Sequence, residues 1–367
     1  MTTEAGKTAL ITGASSGIGR ELATLFAKDG YNLVLVARSE DKLQDLADKY
    51  KQQFGTSTIT VIEKDLANPS APQEIYDAVK AQNITVNALV NNAGFGEYGK
   101  FATETDLQKE LDVIQVNLTA LVHLTKLFVK DMVARNEGKI LMLGSVASVI
   151  PNPMMAVYGG TKSFIYSFSE ALRNELNGTD VTVTVLMPGA TDTDFFNKAG
   201  AMNTKAQEQA RSTDPADVAK DGYEAMMAGK DKVVSGAMNK VQVAAAHILP
   251  DQALTANMRK LMEDKNAASD GQSSKLALGL GIAALVVIGI AVTASYRNAS
   301  PYDRARYRYK ANKALGSAKR SAKSAQNSVS STAESVTDSI SHGVASVADS
   351  VAGAYHNAKA QVEKALV

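Results

Sequence analysis

The 367-residue chain contains no cysteine, which excludes disulfides, thiolate zinc sites and cysteine nucleophiles together. Histidine is nearly as scarce: His123, His247, His342 and His356 are too scattered to suggest a cluster, and no metal site is expected. The opening Met-Thr-Thr-Glu-Ala-Gly-Lys lacks an apolar signal region, so a cytoplasmic first domain is expected. A large charge of either sign is lacking too, but the formal net charge of +1 hides a split. From Leu276 onward there are 11 basic and 5 acidic residues, a surplus of six against a deficit of five in the rest. An acidic body with a basic tail argues against nucleic-acid binding and for a tail near anionic surfaces.

Charge disappears altogether between Leu276 and Arg297. Leu276–Ala294 would make a rod of about 28 Å at about 1.5 Å per residue, close to the hydrocarbon thickness of a bilayer. The expectation is a transmembrane or membrane-embedded helix over 276–296, reached through a small, polar linker at 266–275. A buried core helix is the rival. Arg297, Arg304, Arg306 and Arg308 follow, interleaved with Tyr302, Tyr307 and Tyr309, as an interfacial anchor requires. The rest of the tail, 297–367, is rich in Ser, Ala and Val, with apolar residues at helical period. It folds on a membrane surface or against a partner, or stays disordered. Membrane association with a cytoplasmic first domain is the expected location, with the topology of the tail open.

What the first 265 residues do contain is alternation. Thr8–Thr12, Asn32–Ala37, Ser57–Glu63, Ala88–Asn91, Gly138–Leu143 and Val181–Met187 read as strands, most too uniformly apolar for a one-sided sheet. Between them lie helical patterns, among them Arg20–Asp29, Leu107–Ala134 and Tyr158–Leu176. The pattern predicts an α/β fold with a doubly wound parallel sheet. Asp214-Pro215 predicts a capped helix to about Ala228, Lys232–Ser235 a last strand, and Met238–Asp264 a helix broken at Pro250.

Three motifs carry chemistry. The run Thr12, Gly13, Ala14, Ser15, Ser16, Gly17, Ile18, Gly19 joins the first strand to the first helix, where glycines let the backbone approach a pyrophosphate at a helix N-terminus. At the end of the second strand, the carboxylate that would hold an unphosphorylated ribose is missing: Ala37 stands there, followed by Arg38. An arginine suits a 2′-phosphate, so NADP(H) is the expected cofactor. Tyr158 and Lys162 lie four apart at a helix start, on one face. A tyrosine needs its pKa lowered to work near neutrality, and a nearby ammonium would do so. Ser145 follows the strand Gly138–Leu143 at the carboxyl edge, where its hydroxyl could bond a carbonyl oxygen.

With Asp65, the run from Asn91 to Gly94, Asn117 and the run from Pro188 to Thr193, these residues make the chain resemble the short-chain dehydrogenase/reductases over roughly Lys7–Gly236. The resemblance implies a Rossmann-like NADP(H) domain over 1–265 that interconverts a small-molecule carbonyl and alcohol. It implies Tyr158 as proton donor or acceptor, Lys162 on the nicotinamide ribose, Ser145 orienting the carbonyl and Asn117 supporting a water-mediated relay. Asp65 would bind the adenine, Asn92 and Gly94 would border the adenosine, and Thr191 and Thr193 would hold the carboxamide. A homo-oligomer is expected. Substrate choice is expected in Phe95–Tyr98, Val149–Met155 and the stretch after Thr193, including Phe195 and Phe196, whose apolar character suggests a lipophilic substrate. A membrane-attached NADP(H)-binding scaffold without turnover is the alternative, set against the intact Asn117, Ser145, Tyr158 and Lys162.

Overall fold

The computed structural model describes residues 6–264 apart from 57 and 248. The linker, apolar segment and basic tail expected from 266 onward lie outside the described residues. In chain order the elements are β1 (Thr8–Thr12), α1 (Gly17–Lys28), β2 (Asn32–Ala37), α2 (Glu40–Phe54), β3 (Ile59–Glu63), α3 (Ala71–Ala81) and β4 (Val86–Asn91). Then follow α4 (Leu107–Ile114), a π-helical stretch (Gln115–Ala120), α5 (Leu121–Ala134), β5 (Gly138–Leu143), a 3₁₀ turn (Val146–Ser148), α6 (Ala156–Glu175) and β6 (Val181–Met187). The last described elements are α7 (Phe195–Lys198), α8 (Lys205–Ala210), α9 (Pro215–Met227), β7 (Lys232–Val234), α10 (Ala237–Ala246) and α11 (Asp251–Met262).

The strands form one parallel sheet in the order β3-β2-β1-β4-β5-β6-β7. Successive side chains of a strand point to opposite faces, and here both faces are covered. Leu10, Val34 and Leu89 join a core with Ile75, Leu124, Phe128 and Ile165. Ala9, Ile11, Leu33 and Leu35 face the other way, against Leu22, Phe26, Leu43 and Tyr223. Because β1 pairs with β2 on one side and β4 on the other, the chain reverses its direction of growth at β1. The crevice this opens at the carboxyl ends of the strands is where such sheets take ligands.

Local signals account for several boundaries. Asp214 accepts a hydrogen bond from the Ala216 amide at 2.8 Å and Pro215 opens α9, as the sequence predicts. Asp106 caps α4 in the same way through the Lys109 amide, at 3.0 Å. The helix expected over Leu107–Ala134 is present but changes to π-helical winding around Asn117. Among the described residues it is the one helix long and apolar enough to cross a membrane. Its inner residues Val116, Ala120, Leu124 and Phe128 are nevertheless buried in the core.

Candidate active site

A single cleft of about 840 Å³ runs along the carboxyl edge of the sheet and touches Gly13, Arg38, Asp65, Ser145, Tyr158 and Thr193. At one end the glycine turn is built so tightly that side chains are excluded. Gly13 and Gly17 have φ of +67° and +55°, which L side chains rarely adopt. A Cβ on Gly19 would lie 2.3 Å from Asn92 Nδ2 and 2.4 Å from the Gly13 carbonyl oxygen. The Ser16 side chain does not cap α1, so the first-turn amides that a cap would satisfy are left for an anion.

This turn is held from behind. Asn92 Nδ2 donates to the Thr12 carbonyl at 2.8 Å and to the Gly13 carbonyl at 3.3 Å. The Thr12 hydroxyl accepts from the Asn92 and Ala93 amides, each at 3.0 Å, and donates to the Val90 carbonyl. Asn92 therefore also braces the turn that it borders, and Thr12, the first residue of the motif, anchors it through its hydroxyl. Ser15, Ser16, Ile18 and Gly94 all reach the cleft. Thr191 donates to the Gly189 carbonyl, and Thr193 accepts from the Phe195 amide at the start of α7, so both threonines also secure their own loop.

Arg38 extends from the end of β2 with its side chain 66% exposed, 3.9 Å from the Asp65 carboxylate. Asp65 in turn accepts from the Ala67 amide at 3.0 Å. An ion pair this long and this exposed holds little energy, so the guanidinium is available to a phosphate. The glycine cradle, the open helix terminus and this guanidinium together fit a dinucleotide.

At the other end, Ser145 leaves β5 and opens the 3₁₀ turn, accepting from the Ala147 amide at 3.1 Å. Its side chain is also near enough to the Tyr158 hydroxyl to favour the ionised phenol. Tyr158 is the third residue of α6, and its ring packs 5.1 Å from that of Phe195. Lys162, one turn further on, donates to the Leu143 carbonyl at 2.7 Å and sits 5.6 Å from the Tyr158 ring. It is buried just behind Gly94, where a Cβ would approach its Nζ to 3.6 Å. Asn117 is fully buried: Nδ2 donates to the Phe95 carbonyl at 2.9 Å and to Thr161 Oγ1 at 3.1 Å, while Oδ1 accepts from the Phe95 amide at 3.1 Å. Its side chain thus positions the loop after β4 and ties it to α6, and Thr161 is the partner that the sequence leaves unmarked.

The electrostatics differ from the sequence expectation. Burial pushes the Tyr158 hydroxyl up to about 12, more than the nearby Ser145 side chain draws it down. Burial likewise brings Lys162 down to about 7. Desolvation disfavours whichever form is charged, so the phenol is kept neutral and the amine is kept from acting as a strong permanent cation. A neutral phenol is suited to donating a proton to a developing alkoxide.

The buried amine also makes stability depend on pH. Between about 7, the folded value, and 10.5, the ordinary value, the unfolded chain binds more protons at this site. Its contribution is therefore present above 10.5 and lost as pH falls toward 7. Tyr158 has the opposite effect above its ordinary value of 10.0. Lys162→Met should flatten the rise in melting temperature between about pH 7.5 and 9.5 relative to the parent protein. Parallel melting curves across that range would show that Lys162 is not desolvated.

A family model described as short chain dehydrogenase matches residues 7–204. A short chain dehydrogenase of Pseudocercospora fijiensis is 34% identical over 203 residues, 55% of this chain and 65% of the relative. A very-long-chain 3-oxoacyl-CoA reductase of Laccaria bicolor is 36% identical over 180 residues, 48% of this chain and 53% of the relative. The chain thus spans less than two-thirds of the length of these curated relatives. Among solved structures, a short-chain dehydrogenase from Sphingobium yanoikuyae in complex with NADPH is 27% identical with a TM-score of 0.60, covering 72% of this chain and all of its own. One from Burkholderia phymatum in complex with NAD is also 27% identical, with a TM-score of 0.61, covering 67% of this chain and 95% of its own.

Proposed function

Because this chain belongs to the short-chain dehydrogenase family, we propose that it interconverts a carbonyl and an alcohol with NADP(H), Tyr158 exchanging the proton. The observation that carries this reading is the continuity of the cleft from the glycine turn and Arg38 to Ser145 and Tyr158. When bound, the dinucleotide supplies or accepts the hydride. The Tyr158 hydroxyl donates its proton to the substrate oxygen in reduction and recovers it in oxidation. The Ser145 hydroxyl orients that oxygen and stabilises the charge developing on it. Lys162 would meet the ribose beside Gly94, and Asn117 would hold the loop through which a relay passes.

Solved neighbours bound to NADPH and to NAD support a nicotinamide cofactor without choosing between the two. The choice of NADP(H) rests on Ala37 and Arg38. Arg38→Ala should weaken NADPH binding by about 1.5–3 kcal/mol and change NADH binding little, measured by titration of both. Equal losses would remove Arg38 from the phosphate site. The apolar side chains near Tyr158, and a relative named for very-long-chain 3-oxoacyl-CoA, support a lipophilic substrate. NADPH oxidation against a panel of aldehydes and ketones tests the reaction; a scaffold would bind the cofactor and oxidise none.

A further inference from the structure

Of the walls around Tyr158, one comes from beyond the stretch that marks the family. Helix α11 contributes Met258, Leu261 and Met262 to the cleft, all apolar. Met258 and Met262 belong to a buried cluster with Met155 and Phe196, and the Tyr158 ring packs against this same cluster. Apolar surface therefore begins at the ring of the proton-exchanging residue itself.

α11 is also tied down at its C-terminal end. The Tyr98 hydroxyl donates to the Met262 carbonyl at 2.6 Å. Thr204, which caps α8, forms an antiparallel bridge with Asp264. A third tie holds the loop facing them: the Gly99 amide donates to the carbonyl of Met154 at 2.8 Å, a residue at φ +66° where side chains are strained. The first two ties connect the end of α11 to the segment after β4 and to the start of α8. The wall therefore has a fixed backbone, while its methionine side chains can adapt to a flexible ligand.

The geometry points to α11 as the element that selects substrates by the length of an apolar chain attached to the carbonyl, with Leu261 setting that length. Leu261 is only partly buried, whereas Met258 and Met262 are buried, so it is the member of the wall nearest solvent. This assignment rests on the carbonyl–alcohol reading given above.

The test is NADPH oxidation by the full-length protein with straight-chain aldehydes from about four to about twelve carbons. Catalytic efficiency should rise about fourfold per added methylene until the wall is reached. Leu261→Trp should lower the ratio of long-chain to short-chain kcat/KM by about tenfold or more. Leu261→Ala should move the break to longer chains, and NADPH binding measured by fluorescence shows that both variants are folded. A flat profile in the parent protein, or an unchanged ratio in both folded variants, overturns the role of α11 and leaves carbonyl reduction standing. Absence of turnover with every aldehyde and ketone overturns the reaction reading and this assignment with it.

Discussion

Tyr158→Phe should lower turnover by about 10²–10⁴-fold, the range for loss of a positioned general acid, with NADPH affinity nearly unchanged. The separation is expected because the hydroxyl and the ring have different jobs. The ring packs against Phe195 and the apolar cluster, and phenylalanine keeps that packing. Ser145 still accepts from the Ala147 amide, so its turn stays in place. Nothing at the glycine end of the cleft is touched. Single-turnover reduction with saturating NADPH measures the chemical step, and titration measures binding. A variant retaining more than about a tenth of the parent rate on a true substrate would remove Tyr158 from proton transfer.

Gly19→Ala should impair both stability and nucleotide binding. In an open helix the change would favour folding, since alanine is the better helix former by about 1 kcal/mol. Here the new Cβ would meet the Gly13 carbonyl oxygen at 2.4 Å and Asn92 Nδ2 at 2.3 Å. The first is backbone and the second is the amide that fixes the turn, so relief requires moving the turn itself. Overpacking of this kind costs about 1–3 kcal/mol, more than the propensity gain. NADPH affinity should fall by about tenfold or more, because the displaced backbone is the surface offered to the pyrophosphate. Gly160→Ala is the control: it lies in α6 with nothing within 4 Å of the added carbon, and should melt no lower than the parent. Equal behaviour of the two alanine variants would show that Gly19 is not packed against the turn.

Much of this arrangement was legible because the signals are local. Alternating burial of Ala9, Leu10 and Ile11 on two covered faces follows from an uninterrupted apolar run. Asp214-Pro215 marks a helix start by chemistry alone. By contrast, α1 begins at Gly17, three residues before the expected Arg20, and α6 at Ala156 rather than Tyr158. In both places glycine or small residues conceal the first turn. The π-helical winding at Asn117 leaves no trace in an apolar pattern that continues through it. The direction of the Tyr158 shift was also hidden. Spacing puts a lysine near the phenol, but desolvation comes from Phe195, Met155 and α11, brought together across the chain. The same holds for Met258 and Leu261, about a hundred residues from the tyrosine that they help to enclose.

The strand order has a consequence for how the polypeptide is made. β1 leaves the ribosome before the other strands of the sheet, yet Thr8 pairs with both Asn32 and Val86. The Thr12 hydroxyl meets the Asn92 amide across 80 positions. A nascent chain ending before β4 can assemble β1, β2 and β3, but one edge of its central strand stays open and its glycine turn has no Asn92 behind it. Closing contacts this distant in sequence is slow, and an open parallel edge invites wrong pairing while it lasts. The turn that greets the nucleotide is written within the first twenty residues and becomes rigid only after β4 has been synthesised and has docked.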